Sequence, residues 1–87
     1  MTWQTDMRFH YVYILQSETD SERFYIGHTE DLQSRLKAHN QKKCKHTSKG
    51  IPWKIKTAVA FTDEQKALDF EKYLKTASGR AFSKKRL

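Results

Sequence analysis

Arg35 and His39 stand four residues apart in a segment of helical pattern, so they project from one helix face. A guanidinium there can clamp a phosphate with two hydrogen bonds. An imidazole beside it can transfer protons near neutral pH or hold a phosphate. The plainer alternative is a solvent-facing pair at the helix's polar edge. Tyr13 and Tyr25 fall on adjacent strands and could face each other across a hairpin. A phenol can donate to a phosphate oxygen or, once deprotonated, take a proton from water. Its ordinary pKa of about 10 means that deprotonation needs help. Taken singly, each tyrosine also reads as a packing residue with a wet tip. Glu71 is the most anomalous residue, because Ala67, Phe70, Glu71 and Leu74 follow the stripe of a buried helix face. A carboxylate on that stripe needs a cation. A partly hydrated Mg²⁺ held by one carboxylate and a substrate phosphate would serve, and so would Lys or Arg. His39, Cys44 and His46 make a poor zinc set, with no fourth ligand and no standard spacing. Cys44 has no orienting partner that would mark it as a nucleophile.

The elements that must position these side chains follow from pattern. Phe9–Gln16 is rich in β-branched and aromatic residues and predicts a strand. Its pleat sends Val12 and Ile14 to one face and Tyr11, Tyr13 and Leu15 to the other. Phe24–Gly27 predicts a second strand, antiparallel to the first. Thr29 is placed to cap a helix running to about Asn40, with Glu30 and Asp31 in its first turn. Gln41–Ile51 is basic and irregular, with room for a short helix. Pro52 disfavours helix at Ile51, and Ile55–Phe61 predicts a third strand. Thr62 is placed to cap a final helix reaching towards Thr76, which Gly79 ends or breaks. The order β-β-α-β-α predicts an α+β domain, a three-stranded antiparallel sheet flanked by helices.

The chain has 87 residues, enough for a single domain over 1–87, with a core at about 9–75 and a basic tail at 76–87. Its 37% apolar content is low, but the 13% aromatic residues supply large pieces of buriable surface and argue against disorder. No stretch approaches the ~20 apolar residues of a membrane span, so no membrane partner is expected. Met1–Arg8 lacks an apolar core, so no secretory signal is expected. One cysteine, Cys44, leaves no internal disulfide partner and fits a reducing cytoplasm. The net charge of +7 is unevenly spread: Met1–Asn40 carries −2 and Gln41–Leu87 carries +9. Lys42, Lys43, Lys45 and Lys49 crowd a segment without acids, for which a polyanion such as nucleic acid is the natural partner. The plainer alternative is a solvated basic surface.

In order along the chain, Tyr11-Val12-Tyr13, Tyr25-Ile26-Gly27, Asp31-Leu32, Arg35-Leu36 and His39-Asn40 resemble the motifs of the GIY-YIG nuclease domain. Thr47, Pro52-Trp53, Phe61, Ala67 and Glu71 continue the pattern of its small, single-domain bacterial members, the UPF0213 group. That group is similar to the nuclease module of the Slx1 structure-specific endonucleases. The resemblance spans about Phe9 to Lys75. Tyr11 and Val12 replace the name-giving Gly and Ile.

The resemblance implies divalent-metal-dependent phosphodiester cleavage, with one Mg²⁺ or Mn²⁺ ion. It implies that Tyr13 and Tyr25 supply the phenols, with Gly27 completing the second motif. Arg35 would offset phosphate charge, His39 would stand at the family's His-or-Tyr position, and Glu71 would anchor the metal. His28 stands where some members carry lysine and would contact nucleic acid with the four loop lysines. DNA is the implied substrate, with structure rather than sequence preference expected, since no appended recognition domain is expected. The alternative is a nucleic-acid-binding module on the same fold that does not cleave.

Overall fold

β-Branched and aromatic residues alternate with the pleat in the first strand, β1 (His10–Ser17), which becomes the centre of the sheet. The structure is a computed structural model and describes residues 8–87. Apart from Arg8, the segment read above for a secretory signal lies outside the described residues. β2 (Phe24–Thr29) and β3 (Trp53–Phe61) flank β1, both antiparallel to it, in the order β2-β1-β3. Around the sheet stand α1 (Leu32–Asn40), a 3₁₀ turn (Lys45–Gly50), α2 (Glu64–Leu74) and α3 (Ala77–Arg86). The α+β class and the three-stranded antiparallel sheet match the expectation from the sequence.

Because successive residues point to opposite faces, β1 feeds two cores. Val12 and Ile14 pack with Ala67 and Leu74 of α2, joined by Ile26, Phe61 and Phe70. Tyr13 and Leu15 pack with Trp53, joined by Tyr25, Leu32, Leu36 and Ile55. β3 serves both cores because its register slips once. Ile14 pairs with Thr57 but Leu15 pairs with Ile55, so Lys56 is an extra residue in the ladder. A one-residue slip turns side chains to the other face. Trp53 and Ile55 therefore face α1, while Phe61 faces α2.

Both helix starts differ from expectation by one or two residues. Asp31, not Thr29, caps α1 by accepting from the Ser34 N–H at 3.0 Å. Thr29 instead accepts from the Asp31 N–H at 3.1 Å and shapes the approach. Asp63, not Thr62, caps α2 by accepting from the Gln65 N–H at 2.9 Å. A carboxylate at the cap also meets the positive end of the helix dipole, which a hydroxyl does not match.

The basic segment 76–87 is no loose tail: α3 occupies most of it. Thr76 ends nothing; it caps α3, accepting from the Gly79 N–H at 3.0 Å. Gly79 neither ends nor breaks a helix but lies buried in the first turn of α3. A Cβ there would sit 1.8 Å from the Tyr73 carbonyl oxygen and 2.6 Å from Leu74 Cα. Only glycine allows α3 to cross so close to the end of α2. Gly79→Ala is expected to cost about 1–3 kcal/mol or more of stability, because the obstacle is backbone and cannot turn aside. Chemical denaturation of the variant would check this.

Candidate active site

Tyr13 sits at the centre of a buried hydrogen-bond chain. Its hydroxyl lies 3.0 Å from His39 Nε2, and His39 Nδ1 lies 2.8 Å from Thr47 Oγ1. Thr47 Oγ1 donates its single proton to the Cys44 carbonyl at 3.2 Å. His39 Nδ1–H must therefore donate to Thr47, which leaves the Nε2 lone pair free to accept from the Tyr13 hydroxyl. The chain thus runs Tyr13 to His39 to Thr47 to Cys44, with one proton direction throughout.

The surrounding backbone holds this chain rigidly. The Trp53 indole N–H donates to the Thr47 carbonyl at 2.7 Å. The Asn40 side chain bonds both the N–H and the carbonyl of Trp53, which ties the end of α1 to the start of β3. Tyr13 pairs in register with Gly27. A Cβ at Gly27 would lie 2.6 Å from the Tyr13 hydroxyl oxygen and 3.1 Å from Tyr25 Cε2. Gly27 is thus the flat floor on which the two phenols lie, a physical role for the motif glycine.

The electrostatics favour a neutral imidazole. Burial lowers the His39 pKa from its ordinary 6.5, and the Arg35 guanidinium lowers it further. Burial raises the Tyr13 phenol above 10.0, with Arg35 opposing in part. A standing phenolate is therefore disfavoured, but a phenol with a ready proton acceptor is not. Arg35 itself is exposed, whereas His39 is 0% exposed, so the two do not form the solvent-facing pair that their spacing also allowed. Tyr25 is half-buried, its ring centroid 4.9 Å from that of His39 and 6.3 Å from that of Tyr13. The tyrosines sit diagonally, because Tyr25 pairs with Leu15.

The lowered His39 pKa has a consequence for stability. The unfolded state binds a proton below about pH 6.5 more readily than the folded state does. Stability from this group is therefore complete above pH 6.5 and is lost as pH falls through the folded-state pKa. Denaturation midpoints are expected to begin to drop as pH falls below about 6.5, and this early part of the drop should be absent in His39→Gln.

Glu71 belongs to the other face of the sheet. It stands on α2, and its carboxylate oxygens meet His28 Nδ1 and, at 3.0 Å, Lys75 Nζ. His28 pairs with Val12 and so shares the Val12 face, next to Gly27 on the face of Tyr13. The structure therefore gathers Tyr13, Tyr25, Arg35 and His39 on one face, and His28 and Glu71 on the other. The edge strand β2 joins the two sets at adjacent residues, Gly27 and His28. Lys42, Lys43, Lys45 and Lys49 are exposed on the segment that holds Thr47.

Burial raises the Glu71 carboxyl, but Lys75 and His28 outweigh it and hold the pKa below the ordinary 4.5. Glu71 is thus a carboxylate at neutral pH, with 15% of its side chain exposed. Each oxygen takes one hydrogen bond and keeps a lone pair for a cation. Among the described residues, no three His, Cys, Asp or Glu side chains gather as a metal cage. A largely hydrated ion on one carboxylate, completed by substrate oxygens, is the coordination this donor set fits.

One contributor escaped the sequence reading: Lys75, which was findable because it stands four residues after Glu71. Thr47 entered that reading only through the family pattern, with no role attached, because its partner comes from α1, eight residues earlier.

The GIY-YIG catalytic domain model matches residues 9–86 of the chain. A structure-specific endonuclease subunit SLX1 homolog of Cryptosporidium parvum is 36% identical over 72 residues, covering 78% of this chain and 18% of that protein. Another SLX1 homolog, from Leishmania infantum, is 42% identical over 76 residues, covering 76% of this chain and 10% of that protein. A UPF0213 protein of Bacillus licheniformis is 36% identical over 70 residues, covering 79% of this chain and 70% of that protein. The chain thus spans under a fifth of the SLX1 homologs and about two-thirds of the UPF0213 protein. Nucleases of the matched kind generally use a divalent metal ion. Matched by that model over nearly all of its described length, the chain belongs to the GIY-YIG catalytic-domain family of endonucleases.

Proposed function

We propose that the protein is a divalent-metal-dependent endonuclease that hydrolyses DNA phosphodiester bonds, choosing its target by structure rather than sequence. Processing or repair of branched DNA in the cytoplasm is the role this reading favours. The single observation that supports it best is the Tyr13 hydroxyl donating to a neutral, buried His39.

Arg35, exposed beside the Tyr13 phenol, binds the scissile phosphate. Tyr13 then takes a proton from the attacking water while passing its own to His39 Nε2, so no free phenolate has to form. Thr47 keeps His39 in the tautomer that can accept. Tyr25, the more accessible phenol, hydrogen-bonds a phosphate oxygen. Glu71 would hold one Mg²⁺ or Mn²⁺ ion, which supplies charge stabilisation for the phosphoryl oxygens and leaving group. The substrate phosphate lies over the edge of β2 at Gly27 and His28, where both faces reach it. His28, Lys42, Lys43, Lys45 and Lys49 neutralise neighbouring phosphates, a contribution that falls steeply with salt.

Branched, single-stranded and duplex DNA should be incubated with the protein and Mg²⁺ or Mn²⁺. Cleavage of branched DNA is expected, with Arg35→Ala slower by about 100- to 1000-fold. Binding without turnover by the wild type would leave only a nucleic-acid-binding module. Equal cleavage by Arg35→Ala would refute the assigned chemistry.

A further inference from the structure

A second cationic feature lies away from the loop lysines. A groove of about 760 Å³ opens between the Ile14–Ile26 face of the sheet and α3. Lys56, Lys75, Arg80 and Lys84 line it, against a single carboxylate, Glu22. Phe24 lies along its wall with 47% of its surface exposed, the most exposed large apolar side chain among the described residues. Phe24, Ile26 and His28 share one face of β2, so the groove wall at Phe24 and Ile26 lies on the same face as the His28–Glu71 pair. Lys75 belongs both to the groove and to the Glu71 ion pair. Arg80 and Lys84 are four residues apart on α3 and point the same way. The helix is anchored across the groove where the Lys56 ammonium and the Thr57 hydroxyl donate to the Leu87 carbonyl oxygen, at 2.8 and 3.2 Å.

We propose that this groove binds an unpaired strand of the DNA substrate, with Arg80 and Lys84 on its phosphates and Phe24 stacked on a base. The proposal rests on the endonuclease reading and extends it by naming the path of one substrate arm. Three features select an unpaired strand. The excess of cations calls for a polyanion. A half-exposed aromatic ring gains most by stacking on a π-face, and every base has one. In a duplex those faces are already covered by neighbouring base pairs, so Phe24 can stack only where pairing has ended. The site explains why this domain would act where a duplex meets a single strand.

The test compares the full chain with Arg80→Ala/Lys84→Ala and with Phe24→Leu. Lys66→Ala/Lys72→Ala removes the same charge from exposed positions of α2 outside the groove lining. A fluorescein-labelled single-stranded oligodeoxynucleotide and its duplex are titrated over a salt series, and Mg²⁺-dependent cleavage of a branched substrate is measured beside them. Arg80→Ala/Lys84→Ala is expected to weaken single-strand binding at least about tenfold and to flatten its log–log salt slope by about 1.4. Phe24→Leu is expected to weaken it by about tenfold with the slope unchanged, since stacking releases no counterions. The α2 variant should change single-strand affinity by less than about threefold. Equal loss in both lysine–arginine and lysine–lysine variants would reduce the effect to bulk charge and overturn the groove. Unchanged single-strand affinity in Arg80→Ala/Lys84→Ala, or no single-strand binding by the wild type, would also overturn it. Groove-dependent binding with no cleavage by the wild type would instead sink the endonuclease reading and leave the groove standing.

Discussion

Glu71→Ala is expected to lower metal-supported DNA cleavage by about 1000-fold or more while DNA binding stays equal or tightens. The two halves of this result have separate causes. Cleavage falls because the one carboxylate available to anchor a hydrated cation has gone, and no neighbouring acid replaces it among the described residues. Binding persists because the substitution frees Lys75 and His28 and raises the net charge of an already basic protein by one. Stability should barely move. Lys75 and His28 have side chains 54% and 45% exposed, so water replaces Glu71 as their partner, and the pair contributes no more than about 1 kcal/mol. Cleavage rates, binding isotherms and denaturation curves of one preparation measure all three. Undiminished cleavage would show that the observed activity comes from a contaminant or from another centre.

His39→Gln is expected to cut kcat by about 100- to 1000-fold with a smaller effect on KM. Glutamine can accept from Tyr13 and donate to Thr47, but it cannot take up a proton, so the hydrogen bonds survive and the proton sink does not. The substitution should cost about 1–3 kcal/mol, since the site is fully enclosed and the amide is a poorer fit. His39→Ala is a blunter probe. It leaves the Tyr13 hydroxyl and Nδ1's partner Thr47 unsatisfied around a cavity, at about 3–5 kcal/mol, and its inactivity would say little about catalysis. In the wild type, kcat/KM should fall on the acid side with an apparent pKa below 6.5, as His39 gains the proton that blocks its acceptance of another. That limb should vanish in His39→Gln. Full activity in His39→Gln would remove the imidazole from the chemistry and confine it to packing.

Much of this protein is legible along the chain because the signals are local. The β-branched, aromatic run around Tyr11–Leu15 has period two, and that alone separates Val12 and Ile14 from Tyr13 and Leu15. The stripe of Ala67, Phe70, Glu71 and Leu74 marks Glu71 as a carboxylate in need of a cation, and Lys75 lies within reach of that argument. Helix starts are legible to within two residues, since Thr29, Asp31, Thr62 and Asp63 all carry a capping oxygen and only the backbone path selects among them.

Contacts between distant segments decide the rest. Trp53, Ile55, Thr57, Val59 and Phe61 alternate without a break, which reads as one face, yet the extra residue at Lys56 divides them between two cores. Gly79 reads as a stop, and becomes the point where two helices touch, because the need for a missing Cβ arises from Tyr73 and Leu74 packed against it. The tautomer of His39 depends on Thr47 eight residues away and on Tyr13 twenty-six residues away. Spacing within a segment sets what a side chain is able to do, because pleat and helix period are short-range. Which partner it meets, and on which side of the sheet, depends on closing loops and fitting volumes across the whole chain.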